Sequence, residues 1–264
     1  MRVGIVGAGI AGLACAAALR AAGYEPTLFD KARGAGGRMS TRRIDAHGGP
    51  LAFDHGATHF TARSAAFKAL VAEWETAGLA ARWPAGGRDA WVGTPSMNAP
   101  LKAYGAPHDI RRSSMVTALT RSSAGWTIHS ERSRYGPFDA VAVAIPAEQA
   151  APLLSLHDFS MARAAMAIRS HPIWSAMFAF ARPIDGLPDM VRGKNTVTLA
   201  VRNNSRPGRG GMESWIVQAS WQWSEAHLTR PANEICDALL AALAAESGAT
   251  IPEPVHYDAH RWLF

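Results

Sequence analysis

Hydrophobic and polar positions in residues 1–30 predict a strand, a turn, a helix and a second strand. Residues 3–6 form a short apolar run rich in β-branched side chains, which is typical of a buried parallel strand. A glycine-rich turn and an alanine-rich run then predict a helix, and Gly23 is placed to end it. The next stretch, EPTLFD, predicts a second strand that finishes at Asp30.

The middle of the chain mixes helical and strand periodicity. Residues 64–78 (SAAFKALVAEWETAG) carry apolar side chains at helical spacing, with Ser64 at the N-cap and Gly78 at the end. The stretches GWTIHS and FDAVAVAIP predict strands, and Pro146 ends the second of them. A further helix is predicted to begin in AEQAAPLL.

Beyond Ile173 the pattern changes to strands followed by a helix. The runs IWSAMFAFARP, NTVTLAVRN and ESWIVQASWQW predict three strands, and SRPGRGG predicts a loop. ANEICDALLAALAAESG predicts an amphipathic helix that ends at Gly248. The whole pattern predicts an α/β protein, with a Rossmann-like domain and a second lobe of mainly antiparallel sheet plus helices.

The turn after the first strand carries a G-x-G-x-x-G motif, which predicts dinucleotide binding. Gly7 permits the tight turn, Gly9 lets a pyrophosphate approach the backbone, and Gly12 lets the helix pack on the strand. The helix N-terminus offers free N–H groups and the positive end of its dipole to the phosphates. Asp30 follows about 20 residues later, where a carboxylate can accept a hydrogen bond from a ribose hydroxyl. The alternative is a glycine-rich turn without a ligand.

Composition and charge favour a small molecule over a nucleic acid or a membrane as the binding partner. The 264 residues are 48% hydrophobic and 18% charged, as in a globular protein with a core. The net charge of +6 suits an anionic small molecule and is weak for a nucleic-acid binder, so we expect no nucleic-acid partner. No leader and no long apolar run is evident, so we expect no membrane partner. Only Cys15 and Cys236 occur, which favours a reducing compartment, the cytoplasm, and the histidines show no metal-ligand spacing.

A basic, glycine-containing stretch, DKARGAGGRMSTRR, begins at Asp30. Its four arginines (Arg33, Arg38, Arg42 and Arg43) exceed what an NAD dehydrogenase needs, although some are expected near the phosphates of a dinucleotide. For Arg42 and Arg43 two interpretations stay open. They belong either to a solvated loop or to a contact with an anionic substrate.

These residues resemble a known family. GGRMSTRR, followed by FDHGATHFTAR at residues 53–63, resembles the FAD-dependent amine-oxidase superfamily, and most of all its bacterial renalase-like branch. The stretches WVGTPSMNAPLKA, GPFDAVAVAIPAEQA, NNSRPGR, WSEAHL and HRW resemble the same branch, so the resemblance covers nearly the whole chain. It implies the fold shared by amine oxidases and p-hydroxybenzoate hydroxylase.

The resemblance also implies roles for individual residues. The implied FAD-binding residues are Gly7, Ala8, Gly9, Ile10, Ala11 and Gly12 at the pyrophosphate, Asp30 with Lys31 at the adenosine ribose, Gly37, Arg38 and Met39 in the loop beside the phosphates, Gly56, Ala57, Thr58 and His59 along the flavin, and the backbone near Val116 at the adenine. His59 is a candidate acid–base catalyst. The alternative for His55 and His59 is an ordinary polar loop residue, because flavin hydride chemistry can proceed without such a group.

By resemblance, the enzyme oxidises isomers of reduced NAD(P) that carry the hydride on the wrong carbon of the nicotinamide ring. The products are NAD(P)⁺ and hydrogen peroxide. Binding of FAD is expected to be non-covalent, because neither cysteine lies where a flavin link is expected. The sequence leaves the oligomeric state open.

Two alternative functions stay open at this point, and a third is disfavoured. An oxidase of a small amine predicts a neutral aromatic cage in place of a basic pocket. A non-catalytic dinucleotide-binding module predicts a chain that carries no flavin. An NAD-dependent dehydrogenase is disfavoured, because it has no use for the second cofactor-lining stretches GGRMST and DHGATHF.

The resemblance implies two interleaved domains: residues 1–62 and 103–160 for FAD binding, and residues 63–102 and 161–264 for substrate. Five tryptophans in the second lobe are expected either in the core or as an aromatic wall for a flat ring: Trp174, Trp215, Trp221, Trp223 and Trp262. Relatives continue past HRWLF into a segment whose helix N-terminus points at the flavin. A chain without that segment is expected to bind FAD less tightly.

Overall fold

The computed structural model describes residues 1–46 and 49–264. Its helices are, in chain order, α1 (Ile10–Ala21), α2 (Ala65–Thr76), α3 (Ala99–Gly105), α4 (Ala147–Leu154), α5 (Phe159–Met166), α6 (Trp221–Ala226) and α7 (Ala232–Ser247). Its strands are β1 (Arg2–Val6), β2 (Glu25–Phe29), β3 (Arg42–Ala46), β4 (Gly49–Phe53), β5 (Ala80–Arg82), β6 (Trp91–Gly93), β7 (Asp109–Arg111), β8 (Val116–Ser122), β9 (Gly125–Ser130), β10 (Arg134–Phe138), β11 (Ala140–Val143), β12 (Ile173–Phe180), β13 (Met190–Val191), β14 (Val197–Arg202), β15 (Glu213–Ala219) and β16 (His256–Trp262).

The chain divides into two compact units. The first consists of residues 1–38, 101–170 and 264, and the second of residues 39–100 and 171–263. The assignment of FAD binding and substrate binding to separate domains concerns function and stays a prediction.

The first unit is built on a parallel sheet. Its strands run in the order β11-β1-β2-β7, and each neighbouring pair is parallel. An antiparallel sheet, β10-β9-β8, belongs to the same unit. Phe29 from the parallel sheet packs with Ile128 and Phe138 from the antiparallel one, while α1 buries Leu13 and Ala16. This arrangement confirms the predicted Rossmann-like unit.

Local signals set the ends of these elements. Gly23 has a left-handed backbone (φ +80°) directly after α1, which is the conformation that glycine adopts most easily at a helix end. The strand predicted in FDAVAVAIP returns to the parallel sheet, where Val143 pairs with Val6. Pro146 then precedes α4 as its N-cap residue.

The second unit contains a five-stranded sheet in the order β13-β14-β15-β12-β16, with antiparallel neighbours throughout. The helix α7 covers one face, where Ile235, Leu239 and Leu243 pack with Trp215. Because side chains alternate along a strand, Met177 of β12 points to the opposite face. There it packs with residues of β4 and β15.

Several regions of the second unit differ from the sequence prediction, including Arg42 and Arg43, which lie in the strand β3 and not in a loop. The run ESWIVQASWQW is not one strand, because β15 ends at Ala219 and Ser220 begins the helix α6. The aromatic residues of SWQW favour a strand by propensity, but a serine before them is also a common helix start. The strand β16, which pairs with β12, was not predicted at all.

Neither a membrane-spanning helix nor a metal cluster occurs in residues 1–46 and 49–264. The helices there are too short or too polar to cross a bilayer. No three histidine, cysteine, aspartate or glutamate side chains converge in a way that could hold a metal ion.

Candidate functional site

The glycine turn at residues 7–12 is shaped by close backbone contacts. The Gly7 N–H donates to the Phe29 carbonyl at 2.7 Å, and Gly7 has φ +103°. A Cβ at Gly12 would lie 1.9 Å from the Gly7 carbonyl oxygen, so only glycine fits there. In the described part of the chain, by contrast, nothing lies within 4 Å of the position that a Cβ would take at Gly9. The turn is therefore tight on its inner side and open beside Gly9.

The open side of the turn coincides with the start of α1. Gly9 is the N-cap residue, and no side chain from the described residues caps the helix there. The first N–H groups of a helix have no partner within it, and they carry its positive dipole end. Backbone donors at Ile10, Ala11 and Gly12 with open space beside them fit a pyrophosphate. Ala8 is buried in the same turn.

Asp30 fastens this turn from the end of β2. Its carboxylate accepts hydrogen bonds from the Ala8 N–H at 2.7 Å and from the Ala32 N–H at 2.8 Å. Carboxylate oxygens have further lone pairs, so Asp30 can still accept from a ribose hydroxyl. Its neighbour Lys31 is exposed.

The loop after Asp30 returns to the glycine turn. A Cβ at Gly37, which has φ +52°, would lie 3.5 Å from the Cα of Gly9. Arg38 is exposed, whereas Met39 is buried. Val116 is half-buried at the start of β8. The roles of these residues toward a cofactor stay predictions.

In the second unit, the segment 56–59 is held by its backbone carbonyls. The Gln218 side chain donates to the Gly56 carbonyl at 2.7 Å, and Arg206 donates to the Thr58 carbonyl at 2.9 Å. Ala57 lies between these two anchors and is half-buried. The segment predicted to line the flavin is therefore fixed from the sheet and from the loop after β14.

The charged group behind this segment is centred on Asp54, and we call it the Asp54 network: Asp54, Thr41, Asn203, Arg206 and Arg209. Asp54 is 1% exposed and accepts from Arg209 Nε at 2.8 Å and Thr41 Oγ1 at 2.5 Å. Arg206 approaches its carboxylate at 3.5 Å and also donates to the Asn203 side chain. The network ties the stretch FDHGATH to the stretch NNSRPGR.

Burial and neighbouring charges shift the pKa values of Asp54 and Arg206. Burial raises the pKa of Asp54, but Arg206 and Arg209, with a hydrogen bond from Thr41, outweigh it and hold that pKa below its usual value. Burial lowers the pKa of Arg206 to about 9, opposed by Asp54 and assisted by repulsion from Arg209. At neutral pH Asp54 and Arg206 are therefore both charged.

His59 is half-buried beside this network. Its Nδ1 lies 3.1 Å from Thr58 Oγ1, and its ring lies 6.0 Å from that of Trp83. Burial, followed by the guanidinium groups of Arg192 and Arg206, lowers the pKa of His59. The imidazole is therefore neutral at pH 7, where it can accept a proton. Its part in catalysis stays a prediction.

A second histidine group lies next to the network. The His55 ring contacts those of His260 and Trp262, at 4.9 and 5.2 Å between centroids, and Trp262 Nε1 donates to the His55 carbonyl at 3.0 Å. Burial, then the positive field of His260, lowers the pKa of His55 to about 4. Nearby, Arg42 pairs with Asp258 at 2.9 Å. Arg42 is thus a partly exposed, paired cation.

The five tryptophans of the second lobe lie in different surroundings, and the expected core position is confirmed for two of them. Trp174 and Trp215 are core residues. Trp223 packs at the edge of that core and stacks on His227 at 4.0 Å, while Trp221 is 38% exposed. Trp262 stacks on His55, as described above.

Sequence reasoning missed Asp54, Asn203, Arg206 and Arg209 as a group, although the stretches that contain them were recognised. Arg206 and Arg209 were assigned to a simple loop. The signal that could have found them is two arginines in a Pro-Gly loop, with one buried acid elsewhere in the chain to pair with.

Two family models match the chain. An NAD(P)-binding Rossmann-like domain matches residues 5–74, which include the glycine turn and Asp30. The flavin containing amine oxidoreductase model matches residues 77–263, which include Arg206, Arg209 and the sheet of the second unit.

Solved structures share the fold at low identity. A putative protoporphyrinogen oxidase from Exiguobacterium sp. 255-15 is 13% identical with a TM-score of 0.76, over 98% of this chain and 86% of that one. Cyclohexylamine oxidase from Brevibacterium oxydans IH-35A is 13% identical with a TM-score of 0.71, over 99% and 84%. The PF1083 protein from Pyrococcus furiosus is 13% identical with a TM-score of 0.63, over 98% and 88%.

The amine oxidoreductase model alone covers well over half of the chain, and the Rossmann-like model accounts for its N-terminus. The glycine turn and the fold agree with both matches. The chain therefore belongs to the flavin-containing amine oxidoreductases, a family of FAD-dependent oxidoreductases.

Proposed function

We propose that this enzyme is renalase-like and oxidises isomers of reduced NAD(P) that carry the hydride on a ring carbon other than the one used in ordinary NAD(P)H. One substrate, one O₂ and one proton give one NAD(P)⁺ and one hydrogen peroxide. Bound FAD supplies the redox chemistry, as acceptor of the hydride and donor to oxygen. The chain supplies binding, orientation and electrostatics.

We assign the FAD contacts to the residues that fit them. These are Gly7, Ala8, Gly9, Ile10, Ala11 and Gly12 at the pyrophosphate, Asp30 and Lys31 at the ribose, Gly37, Arg38 and Met39 beside the phosphates, Val116 at the adenine, and Gly56, Ala57, Thr58 and His59 along the flavin. The open space beside Gly9 and the N–H groups in the first turn of α1 support the first assignment.

The observation that carries the substrate proposal is the positive charge around His59. Arg192 and Arg206 both act on its imidazole, and Arg192 is exposed, so its guanidinium can pair with a phosphate. A positive field attracts the phosphates of a dinucleotide and repels the ammonium group of an amine. This favours a dinucleotide over an amine as substrate.

Non-covalent FAD binding is part of the proposal. Cys236 is 1% exposed in the core of the second unit, and burial raises the pKa of its thiol to about 12. A thiol in that state is a poor nucleophile. Cys15 lies within α1. We expect acid precipitation to release all of the flavin into the supernatant, and flavin retained in the pellet would contradict this part of the proposal.

The test is anaerobic stopped-flow mixing of the FAD-bound protein with dihydronicotinamide isomers of NAD and NADP. We expect loss of the oxidised flavin absorbance with the isomers, and hydrogen peroxide on admission of oxygen. Reduction by small amines, but not by the isomers, would establish the amine-oxidase alternative. Absence of reduction by both would refute the proposed substrate.

A matched pair of variants tests the role of charge. Arg192→Gln should weaken isomer binding about fivefold to tenfold, as expected for about 1 kcal/mol lost from a partly solvated ion pair. Lys194→Gln removes an exposed cation two residues away and should leave binding unchanged. Equal effects of the two variants would mean that general surface charge, not Arg192, attracts the substrate.

A further inference from the structure

Arg206 is a buried cation whose nearest carboxylate is already paired. Its Nη1 lies 3.5 Å from Asp54 Oδ2, whereas Arg209 Nε donates to the same oxygen at 2.8 Å. The other described hydrogen bonds of Arg206 end on neutral oxygens of Thr58 and Asn203. Asp54 is therefore shared by two guanidinium groups, of which Arg209 lies nearer to the carboxylate.

The charge of the whole group is unbalanced. Asp54 contributes one negative charge, and Arg206 and Arg209 contribute two positive ones, which leaves one positive charge. The side chains of the two arginines are 0% and 6% exposed, so water screens this charge little. A buried cation of this kind is costly, and an anion close by lowers that cost.

The unbalanced charge acts directly on the segment 56–59. Arg206 donates to the Thr58 carbonyl at 2.9 Å, and the same guanidinium contributes to the lowered pKa of His59. Gln218 holds the Gly56 carbonyl from the sheet, so the segment has little freedom to move away from Arg206. A group lying against this segment would experience the positive field.

We propose that Arg206 is a positioning residue for the flavin reaction, which fixes the Thr58 carbonyl and whose charge favours the reduced flavin over the oxidised one. This inference rests on the proposed placement of the flavin along residues 56–59. Uptake of a hydride brings two electrons and one proton to the neutral ring and leaves one negative charge on it. Arg206 stabilises that new charge, so its removal makes the flavin harder to reduce.

The test measures the two-electron potential of the bound flavin against redox dyes, with no substrate present. We expect Arg206→Met to lower the ratio of reduced to oxidised flavin about tenfold at a fixed dye potential, which corresponds to about 30 mV for a two-electron couple. Arg206→Lys keeps the charge and should recover most of the ratio. Equal ratios for Arg206→Met and wild type would overturn the proposal, and so would Arg206→Lys behaving like Arg206→Met.

Arg202 offers a matched control. It lies in the same unit but pairs with both Asp189 at 3.3 Å and Glu213 at 3.2 Å. Arg202→Met changes the total charge by the same amount at a guanidinium that donates to the Ile184 and Leu187 carbonyls, and it should leave the potential at the wild-type value. A shift as large as that of Arg206→Met would show that total charge, not this guanidinium, sets the potential.

A measurement on the wild-type protein covers the case in which Arg206→Met does not fold. The bound flavin should have a higher potential than free FAD under the same conditions, and an equal or lower one would overturn the proposal. Because dyes replace the substrate, this result is independent of the substrate proposal. If the isomers fail to reduce the flavin, its potential can still be measured with dyes. If the potential does not depend on Arg206, the isomers can still be tested as substrates.

Discussion

The glycine turn and the Asp54 network stabilise their surroundings by opposite means. The turn uses backbone groups and small residues within residues 7–12, with one carboxylate, Asp30, that accepts from two backbone N–H groups. The network uses three buried charges, and Asp54 and Arg209 are 155 positions apart in the chain. The first arrangement is local, and the second exists only after the second unit has folded.

This difference affects how each region tolerates change. In the turn, the limiting quantity is space, because a Cβ at Gly12 would overlap the Gly7 carbonyl whereas one at Gly9 would not. In the network, the limiting quantity is buried charge, because removal of Asp54 would leave two guanidinium groups buried without a carboxylate. Substitutions should therefore separate the two kinds of constraint.

The largest effect is expected from Asp54→Ala. It leaves Arg206 and Arg209 buried without a carboxylate, so we expect the free energy of unfolding to fall by about 3–5 kcal/mol. Urea unfolding followed by far-UV circular dichroism measures this. Glu234→Gln is the control, because Glu234 and its partner Arg230 are about half exposed, and its loss should cost less than about 0.5 kcal/mol. Similar costs for the two variants would contradict the importance of buried charge balance.

The next effect concerns space in the glycine turn. Gly12→Ala places a methyl group 1.9 Å from the Gly7 carbonyl, which must move, and we expect a loss of about 3 kcal/mol in stability together with weaker FAD binding. Gly9→Ala meets open space and should leave stability within about 1 kcal/mol, yet weaken FAD at least about tenfold by occupying the place of the pyrophosphate. Urea unfolding and titration with FAD fluorescence measure the two effects. Unchanged FAD affinity in Gly9→Ala would show that the pyrophosphate does not bind at this turn.

The contrast also explains how much the sequence could predict. The first β-α-β unit, the N-cap at Ser64 and the end of α7 at Gly248 follow from residues within a few positions of one another, and all three are confirmed. β16 was missed because HYDAHRW has weak strand propensity and is defined by pairing with β12. The residues of β16 alone do not indicate this pairing, because β12 lies far away in the sequence.

The candidate site shows the same division. The glycine turn before α1 and the position of Asp30 at the end of β2 were predicted because the motif is contiguous. The contact of Arg206 was not, because nothing in SRPGR says that its guanidinium reaches the carbonyl of Thr58, 148 positions away. Resemblance marked both stretches, but only the structure brings them into contact.

The next smaller effect is the pH dependence of stability that we expect from His55, which lies beside Asp54 in the chain. The pKa of His55 in the folded protein, about 4, lies below its ordinary value of 6.5, so the unfolded chain binds more protons between these pH values. The contribution of His55 to the free energy of unfolding is therefore fully present above about pH 6.5, and it is lost as the pH drops toward 4. Between pH 7.5 and 5 we expect a loss of roughly 2 kcal/mol from this group, measured by urea unfolding at each pH. His55→Gln should remove that part of the slope, and an unchanged slope would assign it to other groups.

The smallest effect is expected from the N-cap of α2, which is a local contact within the second unit. Ser64 begins α2 in the second unit and accepts from the Phe67 N–H at 3.2 Å, a contact that depends on four consecutive residues only. Ser64→Ala should lower the free energy of unfolding by about 1 kcal/mol, because one N–H at the helix start loses its partner. Ser64→Asp should keep the stability near wild type, because its carboxylate can cap the same N–H and lies at the positive end of the helix dipole. If Ser64→Ala instead cost as much as Asp54→Ala, local caps would matter as much as buried charge, and the distinction between local and long-range stabilisation would not hold for this unit.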